Sequence, residues 1–362
     1  MKRFFGFFLS IMVASAIIMS CEGPAGPKGD TGTTGTDGKD GKDASISCQE
    51  CHGNDEVSFK FAQYDLSKHN KGIIYEEEAG RLSCGVCHSG DGFAESVASG
   101  DYLTATTKAT SKINCTACHK IHTNFEYADF ALRVTEPITL RKPAGTVVDF
   151  KTGNLCARCH SARPYNDVVS ADTVFKHKNP STNTYTRFGP HYGTPGNVFS
   201  MKGLYNVAGS LSVPSNNIHA NLAKGCVSCH MGSNPTNPAA GGHTFLMTPS
   251  QMTAIAECKS CHPDPEVFTQ LTKSNEIKAA LKEYRTLLIN KGFLDTTQAI
   301  TADGYQILGE YFKQTNEGVN MTKEEVEVTL NYLYLAKDRS NGAHNPNYMY
   351  ALVKNGVEFL KK

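Results

Sequence analysis

One five-residue pattern, Cys-x-x-Cys-His, occurs six times in the 362-residue sequence. Two cysteines three positions apart lie on one helical turn, so both can reach the vinyl groups of a haem, and the next histidine can ligate its iron. Zinc sites or disulfides are the alternatives, but zinc sites would combine the pairs in twos and need no histidine after each second cysteine. The pattern therefore predicts six covalently attached haem c groups.

The predicted attachment sites are twelve cysteines in six pairs, each followed by the histidine predicted to ligate the iron. The pairs are Cys48 and Cys51, Cys84 and Cys87, Cys115 and Cys118, Cys156 and Cys159, Cys226 and Cys229, and Cys258 and Cys261. The proximal histidines, in the same order, are His52, His88, His119, His160, His230 and His262.

The histidines outside the motifs are candidates for the second axial position of each iron. Of 13 histidines, six belong to motifs and seven remain. His177 lies between two lysines in an expected loop, and we leave it out. The six candidate distal ligands are His69, His122, His191, His219, His243 and His344. A full set of bis-histidine irons is thus possible.

His122 follows His119 by three residues. On a helix this spacing places both side chains on the same side, so His122 could not easily reach the opposite face of the haem that His119 ligates. We therefore expect His122 to ligate the iron of a neighbouring haem.

Three stretches carry a family resemblance: GPHYGTPGNVF (189–199), CVSCHMGSNPTNPAAGGHTF (226–245) and DRSNGAHNPNY (338–348). The chain resembles secreted multihaem c-type cytochromes, and these stretches are similar to segments in the group that includes pentahaem nitrite reductases and octahaem relatives. The resemblance implies that histidines in these stretches serve as second axial ligands. The group's nitrite reductases usually carry a Cys-x-x-Cys-Lys motif at the catalytic haem, and this sequence has none.

The N-terminus predicts export and a lipid anchor. Lys2 and Arg3 precede an apolar run (4–18) and the sequence Ile-Met-Ser before Cys21, which is typical of a lipoprotein signal peptide over 1–20 with lipid on Cys21. Ordinary cleavage elsewhere is the alternative. Glu22 gives no inner-membrane retention signal of the Asp type, which favours the outer membrane, on its periplasmic or cell-surface side.

Glycine occupies every third position from Gly23 to Gly41, a collagen-like period. Residues 21–43 are predicted to form an extended stalk, with a short trimerising triple helix, and hence a homo-oligomer, as the alternative.

Residues 44–262 are expected to form a hexahaem region and residues 263–362 a C-terminal group of about four helices that packs on it. The fold class is mainly α with extensive irregular loops, because the motif region lacks the apolar periodicity of an ordinary core and haems would fill it. Four signals predict helices at the end of the chain. The first is an N-cap at Asp264-Pro265, and the second is the apolar stripe Ile277/Leu281/Tyr284/Leu288, which ends at Gly292. The third is a capping box of Thr322 and Glu325 with the hydrophobic staple Met321/Val326, and the fourth is a last helix that begins at Asn345-Pro346 and carries the stripe Met349/Leu352/Val353/Phe359.

If all six irons have two histidines, the chain is an electron carrier with no open coordination site, serving a redox protein or an extracellular acceptor. A reductase of a small nitrogen or sulfur oxyanion is the first alternative and needs one open haem. A filament subunit, with a histidine given to the next copy, is the second. A formal net charge of +1 gives no case for nucleic acid as a partner.

Overall fold

The computed structural model describes residues 48–49, 51–77, 81–100, 102–165, 175–176, 189–233, 240–247, 255–264, 272–294 and 320–362. These residues belong to one compact unit, Ser45–Lys362. The signal peptide, Cys21, the stalk, His177 and Pro265 of the expected N-cap lie outside the described residues. Within the described part, no helix is long and apolar enough to cross a membrane.

The motif region consists of short helices joined by irregular chain. The Asn54 side chain caps the first of them by accepting a hydrogen bond from Glu56 N. The helices are α1 Asp55–Leu66, α2 Lys68–Lys71, α3 Ile74–Glu77, α4 Leu82–His88, α5 Gly90–Ala98, α6 Cys115–Cys118, α7 Asn154–Ala157, α8 Pro195–Ser200, α9 Cys226–His230 and α10 Ala256–Lys259. 3-10 turns cover Tyr127–Phe130, Lys151–Gly153, Ile218–Asn221 and Gly242–Thr244. The prediction of a mainly helical fold with extensive loops is confirmed.

Four two-residue strands form two small antiparallel sheets. Strand β1 (Ile138–Thr139) pairs with β2 (Val147–Val148), and β3 (Phe175–Lys176) pairs with β4 (Asn320–Met321). The second pair ties a segment of the motif region to the chain that leads into the C-terminal helices.

Three long helices end the chain: α11 Thr272–Asn290, α12 Lys323–Asp338 and α13 Pro346–Leu360. The α11 stripe is fully buried and Gly292 follows it at φ 76°, as the periodicity predicts. The Thr322/Glu325 capping box forms, and its staple residues Met321 and Val326 are buried. Pro346 begins α13. The fourth expected helix is not among the described elements.

The largest apolar core lies among α11, α12 and α13. Two smaller clusters serve the motif region, one around Phe150 and one around Phe93. This distribution follows from the sequence, because only the last hundred residues carry sustained apolar stripes.

Helix α12 holds the chain that precedes it through polar contacts. Tyr334 O accepts from Thr194 Oγ1 at 2.8 Å. Asn331 and Tyr205 exchange two hydrogen bonds, at 2.8 and 2.7 Å. Buried Lys337 donates to Pro190 O at 2.8 Å. These bonds fix the loop that carries His191.

Candidate haem-binding sites

Short helical turns present the motif side chains. Helices α4 and α9 end on the motif histidines His88 and His230, and α6 spans Cys115–Cys118. Asn114 caps α6 by accepting from Ala117 N, and Asn154, at the start of α7, accepts from Phe150 N at 2.7 Å. Cysteines separated by one turn therefore lie on one face, as attachment to two vinyl groups requires.

Five of the six motif histidines have a second histidine ring close to them, and we number the sites 1 to 6 by their motifs. For five sites the distance between ring centroids is 6.0 to 6.3 Å. The pairs are His52 with His122 (site 1, 6.3 Å), His88 with His191 (site 2, 6.0 Å), His119 with His243 (site 3, 6.2 Å), His160 with His69 (site 4, 6.1 Å) and His230 with His344 (site 5, 6.2 Å).

This spacing fits one metal ion between two imidazoles. A nitrogen–metal bond of about 2 Å, as zinc–imidazole sites have, plus about 1 Å from nitrogen to centroid, separates two axial rings by roughly 6 Å. The interplanar angles run from 24° to 81°, which axial ligation tolerates because each ring can turn about its metal–nitrogen bond. With two thiols and a facing histidine pair, the residues of each of these sites fit a haem c.

At site 6 the candidate partner of His262 is His219. Burial lowers the pKa of His219, and the charges of His262 and His344 lower it further. His219 is also the member of the predicted distal set that the five ring pairs leave over.

The cysteines of site 1 lie in helical backbone at the surface. Cys48 is exposed and Cys51 is half-buried, and both positions are helical, as is that of His52. The two thiols of this site are therefore one helical turn apart, as the motif spacing predicts, in a part of the chain that solvent reaches.

Site 6 departs from the expected helical turn. Helix α10 ends before Cys261, which lies in the turn that follows and is exposed. The helix cannot easily continue, because Pro263 disfavours helical backbone at His262. Cys261 N nevertheless donates to Cys258 O at 3.2 Å. A tight turn thus keeps the two cysteines of site 6 close together in place of a helix.

Several of the paired imidazoles are oriented through Nδ1. His119 donates to Phe130 O at 2.5 Å, His219 to Ala343 O at 2.8 Å and His230 to Phe245 O at 3.1 Å. A ring whose Nδ1–H is bound in this way has its Nε2 lone pair free for a metal.

Burial favours the neutral form, which is the ligating form, in six of these twelve rings. It lowers the pKa of His69, His119 and His230. It lowers the pKa of His160 and His243 to about 4, with help from neighbouring imidazoles.

His344 is different. Burial acts to lower its pKa, but the charge and hydrogen bond of Asp338 outweigh burial and raise it. Asp338 Oδ1 accepts from His344 Nδ1 at 2.6 Å.

Two polar side chains that the sequence did not single out hold distal histidines. Buried Gln63 on α1 accepts from His243 N at 3.1 Å. Buried Asn217 accepts from His219 N at 3.1 Å and donates to His344 O at 2.9 Å. No sequence signal marks either residue, because the partner groups lie 127 or more residues away for two of these three bonds.

The prediction for His122 assumed that it lies on one helix with His119, and this assumption is wrong. Helix α6 ends at Cys118, and His122 lies in a turn at φ 64°. Its ring nevertheless lies beside His52 of site 1 rather than beside His119. A positive φ turns the chain away from site 3, so the outcome has a different cause from the predicted one.

Neighbouring motifs touch each other. The thiols of Cys87 and Cys159, of sites 2 and 4, lie close enough for each to shift the pKa of the other, and so do those of Cys156 and Cys226, of sites 4 and 5. The same holds for Cys229 of site 5 and Cys258 of site 6.

Sites 3 and 4 share an aromatic neighbour. The Phe245 ring lies 6.0 Å from His243 of site 3 and 5.0 Å from His69 of site 4. His122 joins site 1 to site 3 through three residues of backbone. The six motifs thus form one connected series in which site 4 touches sites 2, 3 and 5.

The thiols form neither disulfides nor zinc clusters in the part of the chain that the structure describes. All twelve motif cysteines lie in that part, and all are free. Among the same residues, no group of three or more His, Cys, Asp or Glu side chains converges as a metal site would require. The donors are arranged instead as thiol pairs with facing histidine pairs, which suits a haem and not a tetrahedral ion.

The fold is shared with a solved multihaem protein. The crystal structure of outer cell wall cytochrome OcwA superposes with a TM-score of 0.50 at 18% identity, over 83% of this chain and 50% of that one. An undecahaem cytochrome from the S-layer of Carboxydothermus ferrireducens matches with a TM-score of 0.41 at 17% identity, over 81% of this chain and 40% of that one. The chain spans about half the length of these proteins. No protein-family model matches the sequence, and no curated protein does.

The fold of this chain is therefore one that a solved multihaem cytochrome also has. The nitrite reductase relationship indicated by the three sequence stretches stays a prediction.

Proposed function

We propose that this chain is a multihaem c-type cytochrome that transfers electrons through six covalently attached bis-histidine haems. The observation that carries the proposal is the pairing of five of the six motif histidines with one further histidine of the same chain; His219 is the candidate for the sixth. The shared fold with OcwA supports it. Each bound haem supplies a one-electron ferric/ferrous couple.

The residues of the chain then have defined tasks. The motif cysteines would hold the group covalently, and the two histidines of a pair would ligate its iron. An iron with two imidazole ligands would leave no position for a substrate, which favours a carrier over a reductase. The proximity of neighbouring motifs supports a connected series of sites, which is the arrangement that a conduit needs.

The exposed cysteines give the series two candidate entry points. Cys48 of site 1 and Cys261 of site 6 are exposed, whereas the cysteines of sites 2 to 5 are at least partly covered. A haem attached at site 1 or site 6 would therefore present an edge to a redox partner at the surface.

Neither alternative is favoured by a specific observation. A reductase needs a motif histidine without a partner ring, and a filament subunit needs a distal histidine from another copy. Five such pairs form within one chain, and His219 is the candidate for the sixth.

The cellular setting is also a proposal. The signal sequence and Cys21 support an exported protein, lipid-anchored to the outer membrane on its periplasmic or cell-surface side. The Gly-x-y stalk would hold the cytochrome away from the lipid surface. The partners in this setting are redox proteins or an extracellular electron acceptor.

Low-temperature EPR of the oxidised, haem-loaded protein tests the function. We expect low-spin ferric signals only, integrating to six haems. A high-spin signal of about one haem that shifts on addition of nitrite or hydroxylamine would instead identify a reductase. The mass of the mature protein provides the haem count independently.

A further inference from the structure

The inference concerns the carboxylate that contacts the distal histidine of site 5. Asp338 has no exposed side-chain surface and lies 2.6 Å from His344 Nδ1. By contrast, His119, His219 and His230 donate from Nδ1 to neutral backbone carbonyls. The same kind of ring is therefore held by a charged acceptor in one site and by an uncharged acceptor in others.

The position of Asp338 is costly for the polypeptide. Asp338 is the last residue of α12, where the negative end of the helix dipole disfavours a carboxylate. Burying an ionised carboxylate costs further free energy unless it is paired and hydrogen-bonded. A carboxylate here does not stabilise the helix, so its contribution has to come from the histidine that it contacts.

Ser340 holds this carboxylate in place. Ser340 donates from its backbone N at 3.2 Å and from its hydroxyl to Oδ2 of Asp338. Ser340 Oγ also accepts from His344 N at 3.3 Å. One oxygen of the carboxylate is thus held by Ser340, and the other is directed at the imidazole.

A carboxylate that accepts from Nδ1–H increases the electron density on the imidazole and makes it a stronger donor to a metal. Charge-assisted bonds of this kind are roughly twice as strong as bonds to neutral acceptors. A more basic ligand stabilises ferric over ferrous iron. The effect acts on both histidines of site 5, because the charge of Asp338 also acts to raise the pKa of His230, the other ligand of that pair.

We propose that Asp338 is a positioning residue that lowers the reduction potential of site 5, where it holds His344, below that of sites 3 and 6, where His119 and His219 donate to backbone carbonyls. This inference rests on the proposed function. Site 5 touches site 4 through Cys226 and site 6 through Cys229. An electron passing between site 6 and the rest of the series would therefore meet its least favourable step at site 5.

A redox titration of the mature, haem-loaded protein, followed by visible spectroscopy, tests the proposal. In Asp338→Asn we expect the haem of site 5 to become easier to reduce. At a fixed potential its ferric-to-ferrous ratio should fall about tenfold, which corresponds to a reduction potential raised by about 59 mV for a one-electron couple. Asp338→Glu, which keeps the charge, should show a smaller shift. His344→Met raises the potential of the same site and so identifies its component.

The outcomes separate the two proposals. Wild-type protein without six low-spin haems would overturn the proposed function. Six low-spin haems in Asp338→Asn with a titration curve superimposable on wild type would overturn only the role of Asp338. If Asp338→Asn does not load haem, EPR of the wild-type protein tests the role of Asp338 instead. An iron whose imidazole ligand has a carboxylate partner should give one low-spin signal with distinctly smaller g anisotropy than the others. Six uniform low-spin signals would then refute the role.

Discussion

Replacing His122 with glycine should open one iron and leave the loop intact. The His122 ring lies 6.3 Å from His52 and supplies the second imidazole of site 1. His122 has φ 64°, a left-handed conformation that costs a non-glycine residue roughly 1–2 kcal/mol and glycine almost nothing. The substitution therefore removes the ligand while it relaxes the backbone.

The loop has its own support. Buried Asp129 accepts from Asn124 N and from Phe125 N, both at 2.9 Å. These bonds do not involve the His122 side chain, so the turn should persist in His122→Gly. One of six sites is affected, and one-sixth of the haem iron should become high-spin.

EPR spin integration of oxidised His122→Gly measures this fraction, and added imidazole should return the signal to low spin. His177→Ala is the matched control, since His177 is outside the predicted ligand set, and it should remain entirely low-spin. Low-spin signals alone in His122→Gly, still integrating to six, would refute the assignment of His122 to site 1. A high-spin fraction in His177→Ala would refute the ligand set as a whole.

Three further predictions concern the polypeptide. Asn217→Ala removes three hydrogen bonds of a buried side chain and should lower the free energy of unfolding by about 2–4 kcal/mol in denaturant titrations. Asn217→Asp should be no more stable, because its carboxylate cannot donate to the carbonyl oxygens of Phe199 and His344. Gly356→Ala should cost about 1–3 kcal/mol because its Cβ would lie 2.3 Å from the buried Tyr284 ring, and an unchanged thermal midpoint would contradict that packing. Burial acts to raise the pKa of Asp91, but hydrogen bonds from Ser89 and neighbouring groups outweigh it and hold the pKa well below its usual range. This lowered pKa means that the stability from Asp91 is present above about pH 4 and is lost as the pH falls, so the stability difference between wild type and Asp91→Asn should shrink in acid.

Local signals in the sequence were enough to predict the helices at the end of the chain. The Thr322/Glu325 capping box and the α11 stripe depend on residues within a few turns of each other, so spacing alone determines them. Helix α4, in contrast, is set by the motif it carries and by Thr106, which donates from its backbone N and its hydroxyl to Leu82 O, a contact that no local pattern reveals.

Pairing the histidines required the structure. The sequence supplied the number of candidates, but it did not say that His69 would meet His160 or that His243 would meet His119. Those choices depend on tertiary contacts such as the Gln63 bond to His243 N. The role of Asp338 was equally hidden, because an aspartate six residues before a histidine has no characteristic spacing.

The histidine pairs also join segments that lie far apart in the sequence. His88 and His191 are more than 100 residues apart, as are His119 and His243, and His230 and His344. In the proposed holoprotein each pair, joined through iron, closes a large loop as a disulfide would, and closing a loop of about 100 residues removes unfolded-state entropy worth about 4.7 kcal/mol in the chain-entropy model. Because these loops overlap along the sequence, the ligand pairs are expected to act as a single cooperative network of crosslinks. Each crosslink can form only when the segment that carries its distal histidine has folded against the haem.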